Sequence, residues 1–237
     1  MIPPLLLSEY ERTLNGLSAR ARAALAALVA TLDPSDPAAF TSAVLEAAPD
    51  IVWSLGDVGA QFAADIYDEL RSLNVARGAR YRANIAALPP AEQVEALVRW
   101  GVAPVWEHGD ASAALSRLHG SATRLTLTPA RNTMIGSALD DPHPTGYARK
   151  PSPGACSFCL MVAGRGAVYH SEASAGASDK FHDDCNCTVI AVHNPDDVPQ
   201  ENRDLAAEYG QVTRGVQGGA KAQRAAWRAH VAATRST

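Results

Sequence analysis

Apolar side chains recur at steps of three and four from the start of the chain. Tyr10, Leu14, Leu17, Ala21, Leu25, Leu28 and Leu32 fall on one stripe of a first helix. Asp33-Pro34 ends that stripe, Ser35 or Asp36 supplies a cap for a second helix, and Pro37 suits its first turn. Ile51, Leu55, Val58, Phe62, Ile66, Leu70 and Leu73 mark a third helix. Gly56 and Gly59 lie on or beside its apolar face, where a missing side chain lets a neighbouring helix approach closely. Leu88-Pro89-Pro90 breaks the pattern, and Ala91-Glu92-Gln93 opens a helix through Val94, Leu97 and Val98 toward Trp106 that Pro104 kinks or ends. Asp110 is placed to cap a helix through Leu115, Leu118 and Leu125, continuing past Pro129 toward Leu139.

The run Asp140-Asp141-Pro142-His143-Pro144-Thr145-Gly146 is a strong loop signal and marks a domain boundary. Shorter elements follow: a turn or brief helix at Ser157 to Val162, an extended piece at Ala167 to His170, a small polar loop at Ser171 to Ser178, and a strand at Thr188 to Val192. Helical character returns over Asn202 to Val212, and Gly218-Gly219 separates it from a final helix rich in Ala and Arg. The expected fold is mainly α: a helical assembly domain over residues 1–140, a small metal-stapled α+β domain over 141–195, and a partly basic C-terminal helical tail over 196–237.

Composition narrows this picture. With 47% hydrophobic and 19% charged residues the chain has enough apolar material for a substantial core, which argues against wholesale disorder. A formal net charge of -4 makes no global case for nucleic-acid binding. The segment after Gly210 nevertheless carries Arg214, Lys221, Arg224, Arg228 and Arg235 with no acidic residue. Such a tail suits phosphate or an acidic protein face, although a solvated helix face has the same composition. The apolar run Leu5-Leu6-Leu7 is too short for a secretory signal, and nothing approaches the roughly 20 apolar residues of a membrane span. A reducing cytosol is therefore the expected setting, where clustered cysteines act as metal ligands more readily than as disulfides.

All four cysteines do cluster, as Cys156, Cys159, Cys185 and Cys187, with His182 just before the second pair. The pattern C-x2-C-x22-H-x2-C-x-C offers more donors than one tetrahedral zinc can use. Cys156, Cys159 and Cys185 are ligands in the favoured arrangement, and His182 and Cys187 compete for the fourth place. On an extended Cys-x-Cys segment the two side chains stand about 7 Å apart, which favours His182 and leaves Cys187 beside the centre unless the backbone turns. A site filled by four protein ligands has no position for a reactive water, so it is structural. Buried cysteines without metal, or two disulfides, are the plainer alternatives. A deaminase needs a His-x-Glu ahead of its cysteine pair, and here the histidine follows the pair. An HNH-like nuclease built on His182-Asp183 lacks a second catalytic histidine, since His193 reads as a surface residue at a strand end.

The segment Pro151-Ser-Pro-Gly-Ala-Cys156-Ser-Phe-Cys159-Leu-Met-Val-Ala-Gly-Arg165-Gly166-Ala-Val-Tyr169, followed by Phe181-His182-Asp183-Asp184-Cys185-Asn186-Cys187, resembles the head-morphogenesis proteins of tailed actinobacteriophages. It is similar to the Mu protein F-like minor capsid family, whose domain closes on His-x-x-Cys-x-Cys. The detailed likeness covers roughly residues 145–193, and Asp183 stands where that family usually has proline. The resemblance implies a minor capsid protein made in the host cytoplasm beside the portal and built into the procapsid and virion. Its implied partners are the portal and the major capsid or scaffold proteins, with packaged DNA met through the basic tail and no membrane.

Related proteins are often labelled capsid maturation proteases. The chain has no Gly-x-Ser-x-Gly and no His-Glu-x-x-His, so a Ser–His pair would have to come from Ser116, Ser121, His119 or His143. The expectation is a non-enzymatic head protein with structural zinc, with Arg165, Tyr169 and the Ser171 to Ser178 loop presented for contacts. A maturation protease and a zinc-ribbon DNA binder are the alternatives.

Overall fold

The first apolar stripe forms α1 (Pro4–Val29), which buries Tyr10, Leu14, Leu17, Ala21 and Leu25. In the computed structural model, which describes residues 2–75, 80–143, 146–167 and 181–235, the next two expected helices are one. This helix, α2 (Pro37–Asn74), starts where Asp36 accepts a hydrogen bond from the Ala39 amide at 3.0 Å and runs straight through Pro49. An internal proline costs a helix about 3 kcal/mol. Phe40, Val44, Ala48 and Val52 are all buried at intervals of four, so burial on both sides of the proline holds the axis together. The same override carries α3 (Ala91–His108) past Pro104 to a left-handed cap at Gly109, and α4 (Ala111–Asp140) past Pro129. Asp110 caps α4 as its position suggested, accepting from the Ala113 amide at 2.8 Å.

The helices α2 and α4 pack closely. A Cβ added at Gly56 would lie 3.2 Å from Pro129 Cγ, and one at Gly59 would lie 3.6 Å from Ala130 Cβ. The extended segment 80–90 ties the same two helices together. The Ala83 amide donates to Asp68 Oδ1 at 2.9 Å, while the Asn84 and Ala86 amides donate to the Ser137 and Thr133 hydroxyls, each at 3.0 Å.

Beyond α4, β1 (Gly146–Lys150) pairs antiparallel with β2 (Thr188–Val192), with Gly146 opposite Val192 and Lys150 opposite Thr188. The sequence marks β2 but not β1. Gly-Tyr-Ala-Arg-Lys has no β-branched residue, and its extended form comes from pairing with β2 and from burial. Tyr147, Ala148, Val189 and Ile190 join Tyr10, Leu14, Tyr67, Leu127 and Met134 in one hydrophobic cluster. Next come α5 (Ser157–Ala163), a short 3-10 turn at Pro195–Asp197, α6 (Gln200–Thr213) and α7 (Gly219–Thr234). Leu160, Ala163, Leu205, Trp227 and Val231 form a separate small core among α5, α6 and α7. From residue 168 the expected extended piece, and all of the Ser171 to Ser178 loop, lie outside the described residues. The fold is thus mainly α, and no helix among the described residues is long and apolar enough to cross a membrane.

His193 corrects an expectation. It sits just past β2 but is buried, with its ring 5.7 Å from that of Tyr67 and 6.4 Å from that of His143. Nearby, the end of α4 is pinned to α2. Arg71 Nε donates to Asp141 Oδ2 at 2.6 Å, Tyr67 Oη to the same oxygen at 2.9 Å, and the His143 amide to Oδ1 at 2.9 Å. Burial works to raise the Asp141 pKa, but the bonds from Arg71, the His143 amide and Tyr67 hold it below the ordinary value of 3.8. Removing one partner of a buried pair costs about 3–5 kcal/mol, and Asp141→Ala should lower unfolding stability in urea by that order at pH 7. Because the folded pKa is depressed, the pair's contribution is complete above the unfolded carboxyl value and disappears as pH falls through the folded one. The gap between wild-type and variant midpoints should therefore narrow in acid.

Candidate metal centre

Cys156 and Cys159 are set by the start of α5. Cys156 stands at its N-cap with Sγ 3.5 Å from the Cys159 amide, which places the two sulfurs on one turn. The helix itself is fixed from behind. Trp227 Nε1 donates to the Ser157 carbonyl at 2.7 Å, and Asn202 Nδ2 donates to the Arg149 and Ala163 carbonyls, both at 2.8 Å. Cys156 faces solvent and Cys159 is buried.

The other three donors ride on a loop docked against the helical bundle. The Asp184 amide donates to the Gly120 carbonyl at 3.2 Å, Arg124 Nε to Asp183 Oδ1 at 2.7 Å, and Ser18 Oγ to Asn186 Oδ1 at 2.8 Å. Asp183 is therefore an anchor to α4. Gly120 makes the approach possible, since a Cβ there would lie 2.9 Å from Asp184 Oδ2. Asp184 has φ of 62°, a left-handed conformation that Asp tolerates better than most residues. The turn falls at Asp183 and Asp184, ahead of the two cysteines. Cys185 and Cys187 both bring Sγ within 4.8 Å of Cys159 and of each other, in place of the wider spacing expected of a strand.

All five sequence-predicted donors come together, in two groups that share Cys159: Cys156, Cys159 and His182, and Cys159, Cys185 and Cys187. His182 Nε2 lies 3.1 Å from Cys156 Sγ and 3.6 Å from Cys159 Sγ, and Cys159 Sγ lies 3.6 Å from Cys185 Sγ. A tetrahedral zinc with bonds of about 2.0–2.3 Å separates its ligand atoms by about 3.5–3.8 Å, so these spacings are near those of a metal site. His182 Nδ1 lies 2.6 Å from the Asp183 carbonyl. That bond places the proton on Nδ1 and leaves the Nε2 lone pair facing the sulfurs, the usual outer-sphere arrangement of a ligating histidine. Donor type, spacing and tautomer all fit a thiophilic divalent metal.

The thiols are shifted in opposite directions. The hydrogen bond with Cys159 holds the Cys185 pKa well below the ordinary thiol value, and the Arg131 charge acts in the same direction. The same bond pushes Cys159 up. Burial works to raise Cys156, but the Cys159 amide and His182 outweigh it and lower its pKa.

Two residues at the centre escaped the motif, Arg131 and Arg149, and both pack on Phe181, which begins the motif's second half. Arg149 Nη1 donates to Cys159 Sγ at 3.5 Å. The guanidinium carbons of Arg131 and Arg149 lie 4.0 and 3.8 Å from the Phe181 ring centroid. The available signal was a charged residue on a buried stripe, since Arg131 falls between Leu127 and Met134 at helical spacing.

Two of the residues considered for a Ser–His pair bond elsewhere. Ser121 Oγ donates to Asp183 Oδ2 at 3.3 Å, and His119 Nε2 lies 3.0 Å from the Arg22 carbonyl. Ser116 is exposed and His143 lies beyond the end of α4. Arg165 is exposed beside Met161, Ala206 and Tyr209, and Tyr169 is outside the described residues. In the tail, Lys221, Arg224 and Arg228 are exposed along one face of α7, whereas Arg235 binds Glu208 at 2.7 Å.

Among protein families, the model described as VG15 protein matches residues 1–212. No curated protein and no solved structure matches the chain.

Because Cys159 belongs to both donor groups, Cys159→Ala should abolish metal binding whichever residue fills the fourth position. His182→Ala and Cys187→Ala should differ, and the one that keeps its metal identifies the non-ligand. Elemental analysis of the proteins purified under reducing conditions without chelator provides the measurement. Wild type holding less than about half an equivalent of zinc would rule out the site.

Proposed function

The chain belongs to the VG15 protein family, a phage-associated family, and on that premise we propose that it is a minor capsid protein acting in head morphogenesis near the portal, stapled by a structural zinc. The observation that carries this reading is how the Cys and His donors are mounted. Cys156 and Cys159 belong to an element packed on α6 and α7, while His182, Cys185 and Cys187 belong to a loop packed on α1 and α4. A metal held by four of them cross-links α5 to that loop and keeps no open coordination position, which is the design of a staple rather than of a hydrolytic centre.

The role of the staple would be to fix surfaces for assembly. On α3, Trp100 and Trp106 are 48% and 58% exposed, and aromatic residues at a surface favour protein contacts. We assign these contacts to the portal and to the major capsid or scaffold protein, which places the chain in the procapsid and then the virion. Co-expression with portal, scaffold and major capsid protein should yield procapsids with which the chain co-sediments and in which every capsid protein keeps its full length. Trimming of a head protein that survives loss of the cysteines but vanishes with a single Ser or His substitution would establish the protease reading instead.

The row Lys221, Arg224 and Arg228 is the surface we assign to packaged DNA. Each phosphate neutralised contributes about 0.9 to the slope of log affinity against log salt. Replacing all three with Gln should reduce that slope by about 2–3 in a titration with duplex DNA. An unchanged slope would remove DNA from the list of partners.

A further inference from the structure

Arg131 lies in the middle of α4 and is fully buried, with 0% exposure. Its hydrogen bonds all go to peptide carbonyls of the ligand loop: Nε to Cys187 at 3.1 Å, Nη2 to Cys187 at 2.9 Å, and Nη2 to Cys185 at 2.5 Å. Nη1 has no hydrogen-bond partner, and no ion pair among the described residues involves Arg131. The Phe181 ring beside it and the two carbonyls offset only part of the cost of burying a full charge. The groups nearby that can become anions are the sulfurs of the centre. A divalent metal turns each ligating cysteine into a thiolate, so a centre with three thiolates and one imidazole carries a net charge of about -1 and one with four thiolates about -2.

We propose that Arg131 is the positioning residue and counter-ion of a thiolate-rich metal centre. Its planar fork ties the Cys185 and Cys187 carbonyls together, which holds that turn with both sulfurs facing Cys159. Its buried charge favours a donor set that is negative overall. This rests on the zinc reading above and extends it to a residue on the bundle's central helix, so that metal occupancy and the core of α4 are coupled. A metal-ligating motif with no such cation behind it would bind with similar geometry but less tightly.

The test uses the full-length protein as wild type, R131M, R131K and M134A, each titrated with zinc against a chromogenic chelator and with cobalt(II) followed by its thiolate charge-transfer band. Met134 is buried in the same cluster on the same helix, so M134A reports what generic damage to this core does. Loss of an outer-sphere partner typically weakens a metal site by about 10- to 100-fold, and R131M should fall in that range. R131K keeps the charge without the fork and should recover part of the affinity while altering the cobalt band. M134A should bind metal as wild type does even though it is less stable. Wild-type affinity in R131M, or an equal loss in M134A, overturns the proposal. Should R131M fail to fold, R131K against M134A decides: a lysine variant with wild-type affinity and an unchanged cobalt band overturns it. A wild-type protein that binds no zinc overturns the metal reading as well, whereas zinc binding indifferent to position 131 overturns this inference alone.

Discussion

Burying one helix along most of its surface sets the terms for the rest of the structure. α4 packs against α1, α2, α3 and both strands, and it receives the ligand loop as well. Such a helix keeps only a narrow wet stripe, including Arg117, Arg124, Thr128 and Asn132, so most of its polar groups must be small or meet a partner. Gly120 and Ala130 keep the surface low for close neighbours. The Thr133 and Ser137 hydroxyls receive backbone amides of the 80–90 segment, and Asp141 just past the end takes Arg71. Arg131 occupies the place where the loop of cysteines comes nearest.

That arrangement explains what the sequence makes legible and what it conceals. Periodicity identifies α1 and α2 because each has an apolar stripe and a wet face, and Asp36 and Asp110 announce two helix starts because capping is a local bond. Proline is misleading for a related reason. Pro49 and Pro104 are local penalties of a few kcal/mol, outweighed by burial along the rest of each helix, which a local reading does not see. β1 is hidden because its partner lies more than thirty-five residues further on, from Gly146↔Val192 to Lys150↔Thr188. The strand is set by that pairing rather than by the preferences of Gly-Tyr-Ala-Arg-Lys.

The donor residues were legible as a set, since Cys and His at those spacings have few other uses. Their geometry was not. Whether Cys185 and Cys187 share a centre depends on how their loop docks on α1 and α4 through Asp183, Asp184 and Asn186, and those contacts are not visible in Cys-x-Cys. His193 shows the converse. A histidine at a strand end reads as exposed, but the fold covers it with Tyr67 and His143.

The five donors are not equally sheltered. Cys156 and His182 face solvent, while Cys159, Cys185 and Cys187 are buried. Among the described residues, the imidazole and the Cys156 sulfur form the outer face of the centre, which competing ligands would meet first. The centre therefore has a weak edge with a direction. Loss of Cys156 and His182 would loosen only that outer face, because Cys159 keeps α5 tied to Cys185 and Cys187 of the loop. A joint built in two layers can loosen at its outer face while the C-terminal helices stay fastened to the body.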